Sequence, residues 1–376
     1  MKATNAQLNG PCGVFVSDNG EIYIADASNH RVRKVLLNGQ IVTIAGTGEA
    51  GYNGDDQPAT LAKLNFPTSV VVSSRNEVYI AEHSGNSIRK IDCEGMIHTI
   101  AGNGFDEDGF NGDDQLATQA QLGRPSGLFI TDEEEVLFAD GWNYRIRMIE
   151  SNGMIKTIAG TGQYGYNGDD ILATEAHLAE PSSVFKYKNE IYVTDTSNQR
   201  IRKILQNGKI VTIAGSGSFG FNGDDQVATL THLYQPNGLH VHNDNVYFSD
   251  EYNQRIRVID SNGKIKTISG TERSGYNGDG ILATEAQLSF PSGIFVSNSG
   301  HVYIADIFNH RIRMIDPHSG LISTIAGTGY AGYSGDVPFD FHKYPHIGPT
   351  KPFQPFSKRK EGPFVSAYHD MDIKFL

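Results

Sequence analysis

The chain has 376 residues, a formal net charge of −12 and a pI near 5.5. A surface that binds nucleic-acid phosphates without regard to sequence needs an excess of lysine and arginine, so this balance argues against a nucleic-acid partner. No apolar run approaches the 18 residues of a membrane-spanning helix, so no membrane segment is predicted.

One unit recurs six times along the chain and decides the predicted fold. Its copies open with a proline every 55 to 58 residues, at Pro11, Pro67, Pro125, Pro181, Pro236 and Pro291. In the last copy the runs GIFVS, HVYIAD, HRIRMI and LISTIAG alternate apolar and polar residues, which predicts strands, and turn residues separate them. Each unit therefore predicts an antiparallel sheet of four strands, a to d, and a glycine-rich connector that leads to the next unit.

Six such sheets predict an all-β fold, a six-bladed β-propeller, because a single sheet has two apolar faces that only neighbouring blades can cover. The predicted blades span about 8–63, 64–121, 122–178, 179–233, 234–288 and 289–336, so residues 1–336 form one domain. The b–c hairpins and the connectors are expected on one face of the ring, and the a–b and c–d turns on the other.

The two ends of the repeat region share one connector. Ala3, Thr4, Ala6 and Leu8 repeat the end of the connector motif, and YSGD at 333–336 repeats its beginning. No strand is predicted to cross between the first and last blades. We therefore expect the ring to close by packing alone and unfolding to start at that contact.

The strand b–c segments IYIADASNHRVRKV, LFADGWNYRIRMI, YVTDTSNQRIRKI and YIADIFNHRIRMI resemble the NHL repeat. The connector GYNGDDILATEAHL is similar to the GxxGDGGxATxAxL connector of the long-period branch of that family, which also occurs in teneurin ectodomains. The resemblance covers residues 3–336. It implies a propeller that works as a binding platform, and it does not name a ligand.

Charged residues recur on the b–c hairpin of five blades. An aspartate that ends strand b faces two arginines in strand c, and an asparagine between them suits a turn position with positive φ. We interpret this set as structural; its aspartates and second arginines are Asp26 and Arg33, Asp140 and Arg147, Asp195 and Arg202, Asp250 and Arg257, and Asp306 and Arg313. Blade 2 has Glu82, Gly85 and Ser87 in the Asp, Asn and first Arg positions, so we expect it to be the most weakly held.

Each connector carries an acidic motif such as NGDD, which contains Asp55 and Asp56 in its first copy. Clustered carboxylates are typical Ca²⁺ ligands, but the D-x-D-x-D-G pattern of a calcium loop is missing. The preferred interpretation is that the aspartate caps the short helical stretch that follows it and favours the positive end of its dipole. We therefore predict no metal and no cofactor, with Ca²⁺ as the alternative.

The tip of the b–c hairpin varies among the blades. It holds serine in blades 1, 2 and 4 and a large aromatic residue in the others, namely Trp142, Tyr252 and Phe308. Because serine suffices for the scaffold, exposed aromatic residues at this position indicate an interface. Tyr144 and Ile307 extend the patch, so these five residues on blades 3, 5 and 6 are the predicted binding residues.

Strand a is predicted to line an axial channel, and two blades place polar residues in it. His240 takes a position that is Phe or Val elsewhere, Lys186 takes an aliphatic position, and His242 is near both. Such residues can have shifted pKa values and act in acid–base chemistry, or they contact channel water or a backbone carbonyl. No GxSxG, HExxH or spaced metal-ligand motif occurs, which disfavours catalysis.

Cysteine usage bears on the compartment. Cys12 and Cys93 are predicted at opposite ends of different blades, which argues against a disulfide. Two thiols without a framework, and no Asn-x-Ser/Thr sequon, favour a reducing compartment. The N-terminus lacks a signal peptide, so the chain as written is predicted to be cytoplasmic, or extracellular if an upstream signal is missing.

Residues 337–376 contain six of the chain's 14 prolines and break the repeat, so we predict an irregular, disordered tail. The predicted function is a non-catalytic, monomeric scaffold that binds a protein or peptide on the face of the b–c hairpins and connectors. The alternative is a hydrolase or lyase with a metal or acid–base site near His240 and Lys186. A third possibility is a fragment of a larger surface receptor.

Overall fold

The computed structural model describes residues 1–103, 108–336 and 339. Six antiparallel sheets, each with its strands in the order a-b-c-d, surround one axis, which confirms the predicted all-β six-bladed propeller. Each strand a contacts strand a of both neighbouring blades, including the first and the last, so the ring is closed. In the described residues the only helical segments are three-residue 3-10 turns, none of them long enough to cross a membrane.

The four strands recur with nearly constant bounds. Strand a spans Pro11–Val16, Pro67–Val72, Pro125–Ile130, Ser183–Tyr187, Pro236–His242 and Pro291–Val296. Strand b spans Ile22–Asp26, Val78–Glu82, Val136–Asp140, Glu190–Asp195, Asn245–Asp250 and Val302–Asp306. Strand c spans Arg31–Val35, Ser87–Ile91, Arg145–Ile149, Arg200–Ile204, Arg255–Ile259 and Arg311–Ile315. Strand d spans Ile41–Ala45, Met96–Ala101, Met154–Ala159, Lys209–Ala214, Lys264–Ser269 and Leu321–Ala326.

Each of the five continuous connectors adds a short fifth strand, e, to the outer edge of the following blade, where it pairs with strand d, whereas the sheet of blade 1 has four strands. Strand e spans Gln57–Pro58, Gln115–Leu116, Ile171–Leu172, Gln226–Val227 and Ile281–Leu282. A 3-10 turn follows it in the connector, and the equivalent turn opens the chain, at Ala3–Asn5, Ala59–Leu61, Ala117–Gln119, Ala173–Glu175, Ala228–Leu230 and Ala283–Glu285. Five b–c hairpins contain another 3-10 turn, at Ala27–Asn29, Gly141–Asn143, Thr196–Asn198, Glu251–Asn253 and Ile307–Asn309.

An apolar core lies between each pair of neighbouring blades. Strand b is buried on both sides, because one blade covers each of its faces. The Ala-Thr-x-Ala-x-Leu part of the connector enters this core: Ala59, Ala62 and Leu64 are fully buried between blades 1 and 2. The connector therefore joins two blades and also fills part of the apolar core between them.

Both ends of the repeat region build the connector between blades 6 and 1. Ala3 and Leu8 are buried between these blades, and the Gly327 N–H donates to the carbonyl of Ala3 at 3.0 Å. Asp336 Oδ2 lies 2.9 Å from Nη2 of Arg33 in blade 1. The expectation of closure by packing alone is therefore wrong, because the first and last blades are joined by the hydrogen bonds and ion pair of a connector.

The prediction for the tail falls outside the described residues, with Phe339 as the exception. The N–H of Phe339 donates to the carbonyl of Thr43 at 2.9 Å, and its ring is buried with core residues of blades 1 and 2. The ammonium group of Lys34 lies 5.0 Å from the centre of the ring. This residue of the tail therefore docks on the outer edge of the propeller.

Candidate functional site: the hairpin face and the axial cavity

Every blade buries one arginine of strand c between two carboxylates. In blade 4, Arg202 Nη1 lies 3.2 Å from Asp195 at the end of strand b, and Nη2 lies 2.9 Å from Asp169 of the preceding connector. Arg202 and Asp195 are both fully buried. Burial raises the pKa of Asp195, while the Arg202 charge and hydrogen bonds from Ala179 and Asn198 act in the opposite direction. The network fixes the b–c hairpin and the connector to each other.

The other blades repeat this network with their own residues. Arg33 contacts Asp26 and Asp336, Arg89 contacts Glu82 and Asp55, Arg147 contacts Asp140 and Asp113, Arg257 contacts Asp250 and Asp224, and Arg313 contacts Asp306 and Asp279. In blade 2 the Arg89 guanidinium keeps both carboxylates, at 2.9 and 3.2 Å. Blade 2 lacks the hairpin asparagine and the first arginine, whose positions hold Gly85 and Ser87.

The first arginine of each pair has a different role from the one expected. Arg200 donates to the carbonyls of Asn198 and Ser216, at 2.9 and 3.0 Å, and its guanidinium stacks 3.9 Å from the Tyr166 ring centre. The expectation that both arginines meet the aspartate is therefore wrong. The first arginine instead forms a cation–π contact with the aromatic residue of the connector. The Arg202 guanidinium also approaches this ring, at 4.9 Å from the Tyr166 ring centre.

The connector aspartates are not helix caps, so that expectation is also wrong. The residue that precedes the 3-10 turn in the blade 3–4 connector is Leu172, and no side chain caps this turn. Asp169 instead accepts hydrogen bonds from Arg202 at 2.9 Å and from Thr212 Oγ1 at 3.0 Å. The intervening strand e separates the aspartate from the turn.

The hairpin residue with positive φ is the one after the asparagine. His30 has φ of 51°, while Asn29 donates to Asp26 Oδ2 at 2.8 Å. The His30 Nδ1 accepts the N–H of Phe66 in the next blade at 3.2 Å. Burial lowers the pKa of His30, with a smaller effect from the Arg31 charge, which keeps the ring neutral and able to accept.

The axis of the ring holds a cavity of about 500 Å³ that opens on the hairpin face, where Trp142 and Ile307 line its mouth. Two layers of strand a residues form its wall. The upper layer has one small polar residue from each blade: Cys12, Thr68, Ser126, Ser182, Asn237 and Ser292. The lower layer, which we call the belt, is mostly aromatic: Phe15, Val71, Phe129, Phe185, His240 and Phe295.

The three polar channel candidates are not brought together. His240 lies in the belt between Phe185 and Phe295, with ring centres 4.5 and 4.8 Å apart. Burial lowers the pKa of His240 to about 3, so it is neutral at physiological pH. Lys186 does not line the cavity and lies 3.9 Å from Glu135 of blade 3, and the His242 ring contacts Asn243 at 2.9 Å.

Other chemistry at the cavity is restricted. Burial, with smaller effects from Glu251 and Asp26, raises the pKa of the Cys12 thiol to about 12, so it stays protonated and is a poor nucleophile. Within the described ranges no group of three or more His, Cys, Asp or Glu side chains is placed to hold a metal ion. Cys12 and Cys93 are both free thiols.

Two of the predicted binding residues belong to a larger row of rings on blades 5 and 6 and on the connector between blades 4 and 5. Tyr252 and Phe308 are 47% and 56% exposed, and both contact Phe290, with ring centres 5.0 and 4.9 Å apart. Tyr234 continues the row at 4.9 Å from Tyr252, and Phe219 lies 5.5 Å beyond it. We call these five residues the aromatic row.

The remaining predicted residues lie elsewhere on the same face. Trp142 is 46% exposed, and the Arg124 guanidinium stacks 3.3 Å from its ring centre. Tyr144 packs edge-on against Tyr164 at 5.4 Å. Phe219, Tyr234 and Phe290 were missed by the sequence reasoning, although Tyr234 and Phe290 occupy the two variable positions before the blade-opening proline.

Comparison with known proteins agrees with this geometry. A family model described as "Teneurin NHL domain" matches residues 271–338, and one described as "NHL repeat" matches residues 8–35. These two matches identify NHL repeats in the first and last blades of the propeller.

Curated relatives match this chain over most of its length. It is 28% identical over 341 residues to "Protein SUPPRESSOR OF QUENCHING 1, chloroplastic" of Arabidopsis thaliana. The matched region is 85% of this chain and 31% of that protein. It is 27% identical over 349 residues to "NHL repeat-containing protein 2" of Gallus gallus. Here the matched region is 84% of this chain and 47% of that protein. The chain thus spans about a third to a half of the length of these relatives.

Solved structures share the fold at low identity. An auxiliary nutrient binding protein from Bacteroides thetaiotaomicron has a TM-score of 0.58 at 16% identity, covering 85% of this chain and 70% of that one. A catalytically inactive virginiamycin B lyase from Staphylococcus aureus, solved with quinupristin, has a TM-score of 0.51 at 18% identity, covering 87% of each chain. These likenesses concern the propeller fold alone.

Proposed function

We propose that this propeller is a non-catalytic scaffold that binds a protein or peptide on the face of the b–c hairpins and connectors. The observation that carries the proposal is the aromatic row. Its members Tyr252, Phe308 and Phe219 are exposed by 47%, 56% and 72%, although large rings of this kind are usually buried. Clustered exposed aromatic residues are the usual anchors of a protein interface.

The scaffold does not need these rings. The ring that holds each connector is a different residue, Tyr166 in the blade 3–4 connector, which stacks on two arginines. At the hairpin tip, serine replaces the aromatic residue in three of the six blades, and those hairpins keep the same Asp–Arg or Glu–Arg network. The aromatic residues therefore support binding rather than folding.

Electrostatics favours a basic partner. The chain carries a formal net charge of −12, and the connector aspartates Asp56, Asp170 and Asp225 are exposed at the outer edges of the blades, where their N–H groups bond to strand d. Charge of opposite sign on a partner speeds encounter and aligns the two surfaces. A peptide with apolar side chains to cover the row and lysine or arginine beside them fits this face best.

The rival, a channel hydrolase or lyase, has weaker support. It requires acid–base or metal-binding groups that converge on one point, yet Lys186 lies outside the cavity lining and His240 is held neutral among aromatic rings. The Cys12 thiol is also held protonated. We therefore propose partner binding on the face of the b–c hairpins rather than catalysis in the axial cavity.

Capture by the full-length protein tests the proposal. The variant Trp142→Ser, Tyr252→Ser, Phe308→Ser removes exposed rings from blades 3, 5 and 6. The control variant Leu37→Ser, Leu321→Ser removes exposed apolar side chains at the opposite end of the ring, from the c–d turn of blade 1 and from the first residue of strand d in blade 6. We expect at least one protein to be retained equally by the wild type and the control but at least about tenfold less by the triple variant, since interface anchors contribute about 2 kcal/mol or more each. Equal retention of every captured protein by all three baits would refute the proposal.

A further inference from the structure

We propose that the axial cavity is a binding site for a small, uncharged amphipathic molecule, with its apolar ring beside Val71 in the belt and its hydrogen-bonding group at Thr68 and His83. This site is separate from the interface proposed above, because its ligand lies inside the ring and not across the hairpin tips.

The size and layering of the cavity suit such a ligand. Its volume of about 500 Å³ lies within the range of small-molecule sites, which combine a mostly apolar wall with a few polar groups. The belt supplies the apolar wall through Phe15, Phe129, Phe185 and Phe295. The layer of small polar residues above it supplies the hydrogen-bonding groups. A molecule that spans both layers must therefore be amphipathic.

Blade 2 provides the space. Five belt positions hold an aromatic ring, either phenylalanine or histidine, and the sixth holds Val71. Valine is much smaller than phenylalanine, so the belt has a gap on this side. The width of one missing ring fits a single six-membered ring of a ligand.

The same blade provides polar groups without a partner. Thr68 and His83 both line the cavity, and among the described residues Thr68 Oγ1 and His83 Nδ1 have no hydrogen-bonding partner, although both atoms are turned away from water-accessible space. Two Thr68 counterparts are satisfied: Ser126 Oγ donates to the Ser182 carbonyl at 3.0 Å, and Asn237 Nδ2 donates to Glu251 at 2.6 Å. Buried polar atoms without partners are rare and unfavourable. A ligand group that bonds both, once the Thr68 and His83 side chains rotate these atoms toward the cavity, would remove that penalty.

The charge of the lining favours a neutral ligand. Among the described residues, two side chains of charged residue types line the cavity, Arg124 and Glu180, and their charges are of opposite sign. Both lie at the rim, where Arg124 stacks on Trp142 and Glu180 accepts from Ser197 Oγ at 2.5 Å. Burial, and to a smaller extent the Arg124 charge, lowers the pKa of His83 to about 4, so its ring is neutral at pH 7. The deeper wall therefore offers hydrogen bonds without net charge.

Two probes of similar shape test the site on the full-length protein. Phenylacetamide has a ring and an amide that can both donate and accept, whereas ethylbenzene has the ring alone. Saturation-transfer NMR with titration should give a Kd of about 1 mM for phenylacetamide, the affinity expected for a ligand of its size. Val71→Phe fills the gap and should weaken both probes at least about tenfold. The control Leu37→Phe adds the same ring on an exposed c–d turn and should change neither affinity.

Thr68→Val separates the polar contact from the space. It removes the hydroxyl and keeps the shape, so it should weaken phenylacetamide about fivefold, the usual effect of one hydrogen bond, and leave ethylbenzene unchanged. Because this hydroxyl has no partner in the fold, the variant should fold even if Val71→Phe does not. Absence of saturation transfer from either probe at about 10 mM, binding that survives Val71→Phe, or equal loss of both probes in Thr68→Val would overturn the proposal.

Discussion

At the scale of single residues, one hairpin position links five of the six blades to the next blade by its side chain. Its residue has positive φ and accepts a backbone N–H from the neighbouring blade in five of six cases, through His30, Asn86, Gln199, Gln254 and His310. In blade 3 the position holds Tyr144, which packs on Tyr164 instead. Histidine, asparagine and glutamine differ in chemistry, but each accepts a hydrogen bond at this position. Only the structure shows that the position has the same role in these five blades.

This role predicts a pH dependence that is specific to the two histidines. Burial lowers the pKa of His30 and His310 below the unfolded value, so the unfolded chain binds protons more readily. Their contribution to stability is present above the unfolded pKa near 6.5 and is lost as the pH falls below it. The double variant His30→Gln, His310→Gln keeps the acceptor, as Gln199 and Gln254 do, but does not titrate.

We expect urea unfolding to show that the wild type loses more free energy of unfolding than this variant between pH 7.5 and 5.5. The other buried histidines, such as His83 and His240, are present in both proteins and cancel in the comparison. Identical pH dependences would show that the two imidazoles are not neutral acceptors in the fold.

At the scale of elements, the connector does more than its sequence pattern indicates. Its asparagine-glycine-aspartate motif precedes a short helical stretch, which predicts a cap, but strand e lies between them and directs Asp169 to Arg202 instead. The local sequence could not reveal this, because Asp169 and Arg202 are 33 residues apart and meet only when a connector lies across the next blade. The strands of each blade follow from local alternation, whereas the contacts of the connector are non-local.

The two aspartates of one connector predict a clear difference in stability. Asp169→Asn removes one carboxylate from a fully buried guanidinium and should cost about 1–3 kcal/mol, the range for a charge-assisted hydrogen bond. Asp170→Asn is the matched control, because among the described residues Arg202 forms its ion pairs with Asp169 and Asp195 and not with Asp170, and asparagine accepts the positive φ of 61° at this position; it should cost less than about 0.5 kcal/mol. Urea denaturation midpoints measure both, and equal losses would show that the connector aspartates do not hold the blades.

The aromatic row shows that non-local contacts of the candidate site are likewise not predictable from the repeat pattern. Comparison of the repeats identifies Tyr252 and Phe308, because serine occupies their position in other blades. It does not show that Phe290 lies between them or that Tyr234 extends the contact, since these residues come from the ends of connectors. Trp142, assigned by the same comparison, forms a separate contact with Arg124. The repeat pattern thus predicts individual anchors but not their grouping.

At the scale of the whole molecule, the period of the sequence predicts the number of blades, because each copy must cover the faces of its neighbours. How the ring closes depends on residues more than 300 positions apart. Asp336 and Arg33 make the same contact as Asp169 and Arg202, and the Gly327 N–H bonds to Ala3 just as the Gly160 N–H bonds to Ala173. The cavity and the binding face both require this closure, because all six blades contribute to them.

A circular permutant tests directly whether the seam is equivalent to the continuous connectors. Residue 336 is joined to residue 1 through one glycine, which takes the positive-φ position of the second connector aspartate, and the chain is opened between Asp169 and Asp170. The protein ending at residue 336 is the reference. We predict one cooperative unfolding transition with a free energy within about 1 kcal/mol of the reference, because one split connector replaces another. An unfolded permutant, or two separate transitions, would contradict a ring of six equivalent joints.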